Sequence, residues 1–118
     1  MARILLVEDE IVIAMGTTMA LEDDGHEVTL AADGRAGLEA VIASQPDLVV
    51  TDYMMPRMSG LEMSAALREN GYRSPILLLT GVARENLPED LVAHVDAYRQ
   101  KPIDDDDLVR AVRALLAA

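Results

Sequence analysis

Residues 48–60 read LVVTDYMMPRMSG. Leu48–Thr51 is short, β-branched and almost wholly apolar, which predicts a strand rather than a helix. It shows no polar alternation, as expected of a parallel strand covered on both faces. Asp52 then ends the run. A carboxylate at the edge of a core is costly unless something stands opposite it, and Pro56 and Gly60 turn the chain away at once. The stretch sets two questions: what covers both faces of this strand, and what pairs with Asp52.

Four further runs answer the first question. Arg3–Val7 (RILLV) and Pro75–Thr80 (PILLLT) are nearly continuous Leu and Ile, whereas Glu27–Ala31 (EVTLA) and Asp96–Arg99 (DAYR) are more mixed, which suits the edges of a sheet. Helical segments lie between them. Glu10–Asp24 closes at Gly25 and Ser59–Asn70 at Gly71, both in position to cap a helix C-terminus. Gly34–Ser44 stops before Pro46, and a last helix runs from about Asp104 to Leu116. The stretch GVARENLPEDLVAHVDA is polar early and carries Pro88, so a fourth helix there starts late or is short. Strand and helix alternate five times. This predicts an α/β fold: one doubly wound, five-stranded parallel sheet with helices on both faces. Right-handed crossovers leave the order 2-1-3-4-5 as the natural one. Such a sheet places a ligand at the carboxyl ends of its central strands. The pattern uses nearly all of residues 1–118, so the expectation is one domain with no output domain.

Composition narrows the function. The 118 residues carry a formal charge of −11, which disfavours nucleic-acid and anionic-membrane partners. There is no Cys, and therefore no disulfide, thiolate nucleophile or Cys-based metal site. No apolar run approaches the length of a membrane span. The expected location is the cytoplasm.

The second question turns on the other strand ends. In the proposed order, Glu8, Asp9 and Glu10 after the first strand, Asp52 after the third, Thr80 at the end of the fourth and Lys101 after the fifth converge on one edge. Clustered carboxylates repel one another, and a divalent cation relieves that repulsion. Oxygen ligands without His or Cys favour Mg²⁺ or Mn²⁺. Metal, ammonium and hydroxyl together form a cradle for a phosphoryl group, toward which a carboxylate is a competent nucleophile.

Four pieces in this order, LLVEDE, DYMMPRMSG, PILLLTG and YRQKP, resemble the receiver domains of two-component response regulators over essentially the whole chain. The resemblance implies that Asp52 is the phosphoacceptor. It also implies that Asp9, Asp52 and the Met54 backbone carbonyl hold Mg²⁺, with Glu8 acting through water. Lys101 would contact a phosphoryl oxygen, Thr80 would move to bond it, and Tyr98 would rotate inward behind Thr80. A cis peptide is implied at Lys101-Pro102. The donor would be a histidine kinase or a histidine phosphotransfer protein. The output face would be the fourth helix, fifth strand and fifth helix, about residues 87–116, against a downstream protein target. Side chains at Met54 and Val82 would line the approach of hydrolytic water. Both are apolar, which predicts a long-lived phosphoaspartate.

Each residue taken singly has a plainer reading: Glu8-Asp9-Glu10 as a solvated loop, Asp52 as a turn cap, Thr80 as a strand residue, Lys101 as a surface charge, Tyr98 as an edge aromatic, and Asp104–Asp107 as a helix start. The joint arrangement outweighs these. An aspartyl phosphatase would carry a second acid two residues after its nucleophile, where this chain has Met54. A flavin site would need a hydroxyl- and glycine-rich loop where this chain has VEDE. A receiver excised from a hybrid kinase and a non-phosphorylated scaffold are the remaining alternatives, and retention of Asp9, Asp52, Thr80 and Lys101 together argues against the scaffold.

Overall fold

A computed structural model describes all residues, 1–118. The strands are β1 (Arg3–Val7), β2 (Glu27–Ala31), β3 (Leu48–Thr51), β4 (Ile76–Thr80) and β5 (Ala97–Gln100). The helices are α1 (Ile11–Asp23), α2 (Gly34–Ser44), α3 (Gly60–Glu69), α4 (Glu89–Val92) and α5 (Asp105–Ala117). The strands form a single parallel sheet in the order β2-β1-β3-β4-β5. This is the expected architecture.

The central strands are buried throughout because both faces are covered. On one face Ile4, Leu6, Leu48, Val50 and Leu77 pack with Ala14 and Leu21 of α1 and Leu108 and Val112 of α5. On the other, Leu5, Val7, Val49 and Ile76 meet Val41 of α2 and Met63 and Leu67 of α3. A smaller cluster of Leu61, Leu78, Leu87 and Val92 seats α4. Each fully buried aliphatic side chain contributes about 1.5–3 kcal/mol relative to exposure, so this two-sided core sets the strand order.

Chain punctuation acts largely as expected. Gly25 and Gly71 adopt φ of 89° and 87°, the left-handed region open to glycine. Two strand starts shift. Pro75 stays outside β4, since it has no N–H for the ladder. Asp96 stays outside β5 because its carboxylate accepts from the Ile76 N–H at 2.8 Å and from Arg68. The fourth helix is short and starts late, as the sequence predicts: one turn after Pro88, behind a 3₁₀ segment, Arg84–Asn86. Asp104 caps α5 through the Asp107 N–H at 2.8 Å, so the four-Asp run is a helix start.

Tyr72 closes the base of the sheet. Its buried hydroxyl donates to the Pro46 carbonyl at 2.7 Å. Burial pushes its pKa up to about 12 from the ordinary 10.0. The stability this phenol contributes is complete below its ordinary value and is lost as pH rises through the folded value. Tyr72→Phe is expected to cost about 1 kcal/mol at neutral pH through the lost hydrogen bond. It is also expected to flatten the alkaline decline, as measured by urea midpoints of both proteins at about pH 8 and about pH 11.

Candidate functional site

Strand register builds the site. Val7 of β1 pairs with Thr51 of β3, so the next residues, Glu8 and Asp52, leave the sheet side by side. Their backbones are tied at that point: the Asp52 N–H donates to Val7 at 3.1 Å and the Glu8 N–H to Ala31 at 3.0 Å. On the other side Thr80 pairs with Gln100, and the Lys101 N–H donates to the Thr80 carbonyl at 2.8 Å. The Lys101-Pro102 peptide is cis, as the resemblance implied.

The side chains converge. One carboxylate oxygen from each of Glu8, Asp9 and Asp52 lies within 4.8 Å of the others. Lys101 Nζ donates to Glu8 Oε1 at 2.6 Å and to Asp52 Oδ2 at 3.0 Å. The other Asp52 oxygen, Oδ1, accepts from the Tyr53 N–H at 2.6 Å. Lys101 is the only lysine in the chain, and its side chain is 15% exposed. Partial burial works against its charge, but hydrogen bonds to Glu8 and then Asp52 outweigh it and the pKa rises. Glu10 stays outside this cluster: its side chain is exposed and its N–H donates to Glu8 Oε2 at 3.1 Å at the start of α1.

Thr80 is buried at the end of β4, and its hydroxyl accepts from the Val82 N–H at 3.3 Å. Tyr98 is half-buried and its hydroxyl donates to the Val82 carbonyl at 2.7 Å. Both hydroxyls therefore hold one residue from its two sides. Met54 is 63% exposed beyond Asp52, and Val82 is half-buried.

The backbone around Asp52 holds features that the sequence reading did not assign. Thr51 Oγ1 donates to the Asp52 carbonyl at 2.8 Å. A Cβ on Gly60 would lie 1.8 Å from that same oxygen, so only glycine fits there. Asp33 caps α2 and accepts from Arg57 Nη1 at 3.0 Å. The Asp-Gly pair at 33–34 signals a cap, but nothing in sequence couples it to Arg57.

The family model described as response regulator receiver domain matches residues 4–113. The chain belongs to the receiver-domain family. Response regulator MprA of Mycolicibacterium vanbaalenii is 41% identical over 117 residues, covering 97% of this chain and 50% of that protein. Transcriptional regulatory protein PcoR of Escherichia coli is 39% identical over 119 residues, covering 98% of this chain and 52% of that protein. The receiver thus spans about half the length of the curated relatives it matches. Among solved structures, the Francisella response regulator 1452 receiver domain superposes with a TM-score of 0.91 at 29% identity, covering 99% of this chain and 98% of that one. Thermotoga maritima TrrA, in complex with Mg²⁺–BeF, gives a TM-score of 0.89 at 32% identity, covering 98% and 99%. A response-regulator receiver domain is not a classical enzyme, and the acidic cluster of this one is compatible with Mg²⁺. No helix is long and apolar enough to cross a membrane.

Two measurements test the electrostatics. Lys101→Met leaves Glu8 buried without its cation and is expected to cost about 3 kcal/mol in urea unfolding at neutral pH without metal. Adding Glu8→Gln to that variant should recover part of the loss. In the wild type, the single lysine side-chain NMR resonance is expected to titrate above the ordinary 10.5. The sign follows: the stability of this ion pair is full below the unfolded value and falls as pH rises through the higher folded one.

Proposed function

We propose that this receiver accepts a phosphoryl group onto Asp52 from the phosphoimidazole of a histidine kinase or histidine phosphotransfer protein, with Mg²⁺, and that the modification changes a protein-binding face. The observation that carries the reading is the convergence of Glu8, Asp9 and Asp52 within 4.8 Å beside the ammonium of Lys101. That oxygen-only donor set suits a hard divalent cation, Mg²⁺ or Mn²⁺. Asp9, Asp52 and the Met54 carbonyl are the proposed ligands, with Glu8 acting through water. The TrrA complex with Mg²⁺–BeF, on a matching fold, supports the assignment.

A bound cation would neutralise charge on the transferring oxygens. The residues do the rest. An Asp52 carboxylate oxygen attacks phosphorus as the phosphorus–nitrogen bond to the donor imidazole breaks, leaving an acyl phosphate on Asp52. Lys101 Nζ, already 3.0 Å from Asp52 Oδ2, then donates to a phosphoryl oxygen. Thr80 turns its hydroxyl to the same group and gives up the Val82 N–H. The freed Val82 segment releases the Tyr98 hydroxyl, and the ring moves inward. Such a change selects between conformers close in energy. The face that reads it is α4, β5 and α5, which docks a downstream protein.

The test is incubation with Mg²⁺ and a small phosphodonor. One acid-stable, base-labile phosphoryl group per chain is expected, and none in Asp52→Asn. A wild type that takes up no phosphoryl group under these conditions is a scaffold instead. Met54 and Val82 offer no hydrogen bond to a hydrolytic water, so the adduct is expected to decay slowly and Met54→Asn to hasten decay. Equal or slower decay in that variant removes the role given to Met54.

A further inference from the structure

The loop between Asp52 and α3 is fixed at both ends, and between them the Met55 side chain rests on the core. Near Asp52, the Gly60 N–H donates to the Tyr53 carbonyl at 2.9 Å, and Gly60 packs against the Asp52 carbonyl. At the far end Arg57 stands at φ 71°, one of only two non-glycine residues with positive φ. That conformation crowds any residue with a Cβ, so its retention calls for a compensating contact.

The contact is Asp33. This carboxylate is only 6% exposed and uses both oxygens: Oδ1 caps α2 through the Ala36 N–H at 2.8 Å, and Oδ2 accepts from Arg57 Nη1 at 3.0 Å. Beside it the Gly34 N–H donates to the Met58 carbonyl at 3.2 Å. A Cβ on Gly34 would stand 2.3 Å from that oxygen, so α2 begins pressed against the loop. No backbone hydrogen bond within the chain holds Met54 or Met55. Met55 packs its side chain against the core beside α2 and α3, whereas the exposed Met54 takes its placement from its neighbours in the loop.

We propose that Asp33 and Arg57 are positioning residues: their ion pair clamps the loop after Asp52 to the start of α2 and so sets where the Met54 carbonyl meets the divalent cation. The inference rests on the metal reading above. Neither residue touches the cation or the phosphoryl group. The clamp acts by limiting the loop's freedom before metal arrives, so that binding has less motion to arrest.

Two readouts test it on the full chain. In metal-free buffer, Arg57→Ala and Asp33→Asn (which keeps an oxygen for the α2 cap) are expected to speed amide hydrogen exchange at Tyr53 and Met58, the loop N–H groups that make hydrogen bonds. Exchange in β3 and α2 should be unchanged. Mg²⁺ titrated against tyrosine fluorescence is expected to bind about two- to fivefold more weakly in either variant, a size set by a guanidinium that is largely solvated. That difference should shrink at about 1 M salt, where an exposed charge is screened. Arg57→Lys should recover part of it. Unchanged loop exchange overturns the clamp. Faster exchange with unchanged Mg²⁺ affinity overturns its role at the site, and a deficit that persists in high salt assigns the effect to a damaged α2 instead. A wild type that binds no Mg²⁺ overturns the metal reading and the positioning role together, while the exchange data still decide whether the loop is clamped.

Discussion

The ammonium of Lys101 lies between Glu8 and Asp52, and the carboxyl edge of the sheet depends on it. Parallel register brings the two acids together because Val7 and Thr51 are partners and each acid is the next residue out. The same register that buries the aliphatic core thus forces like charges into proximity. Removing them from water is costly, and the cost is offset only if a cation stands between them. β5 supplies it: the Lys101 N–H is bonded to the Thr80 carbonyl, which aims the residue after the strand back across β4. The site is a consequence of strand order, assembled from residues up to 93 positions apart.

Most of the fold was legible because both signals that define it are local. Leu48–Thr51 and Ile76–Thr80 lack polar alternation because helices cover both of their faces, and Gly25 and Gly71 stand where the helices end. Convergence of Glu8, Asp9, Asp52 and Lys101 followed once the strand order was inferred. What escaped the reading is non-local or depends on backbone angle. Asp96 looks like a strand residue but is withdrawn by Arg68 and the Ile76 N–H. Arg57 looks like an ordinary turn cation, and its positive φ and its bond to Asp33 across 24 residues leave no trace in composition or spacing. Thr51 reads as a strand end, although its hydroxyl holds the Asp52 carbonyl.

The two ends of the sheet differ in how firmly they are tied. At the base, Arg68 alone donates to the carbonyls of His94, Tyr72 and Ser74 and to the Asp96 carboxylate, at 2.7–3.1 Å. This joins α3, the start of β4, the end of the α4 segment and the start of β5. At the carboxyl edge the segment after Thr80 is held near the site through Val82, whose N–H reaches Thr80 and whose carbonyl reaches Tyr98. The first of these bonds is long, at 3.3 Å.

That asymmetry bears on how a one-turn α4 can still serve a switch. A long helix would resist local movement through its own hydrogen-bond ladder. Here the chain from Gly81 to Pro88 has only the 3₁₀ turn Arg84–Asn86, and α4 contributes Val92 to the core beside Leu87. With Arg68 fixing the far end at His94 and Asp96, the proposed displacement of Val82 would be absorbed within Gly81–Val92 rather than passed to the sheet. The face formed by this segment, Tyr98 and α5 can then rearrange while β4 and β5 stay in register. In the proposed switch the short helix would confine the change to the surface that a partner would read.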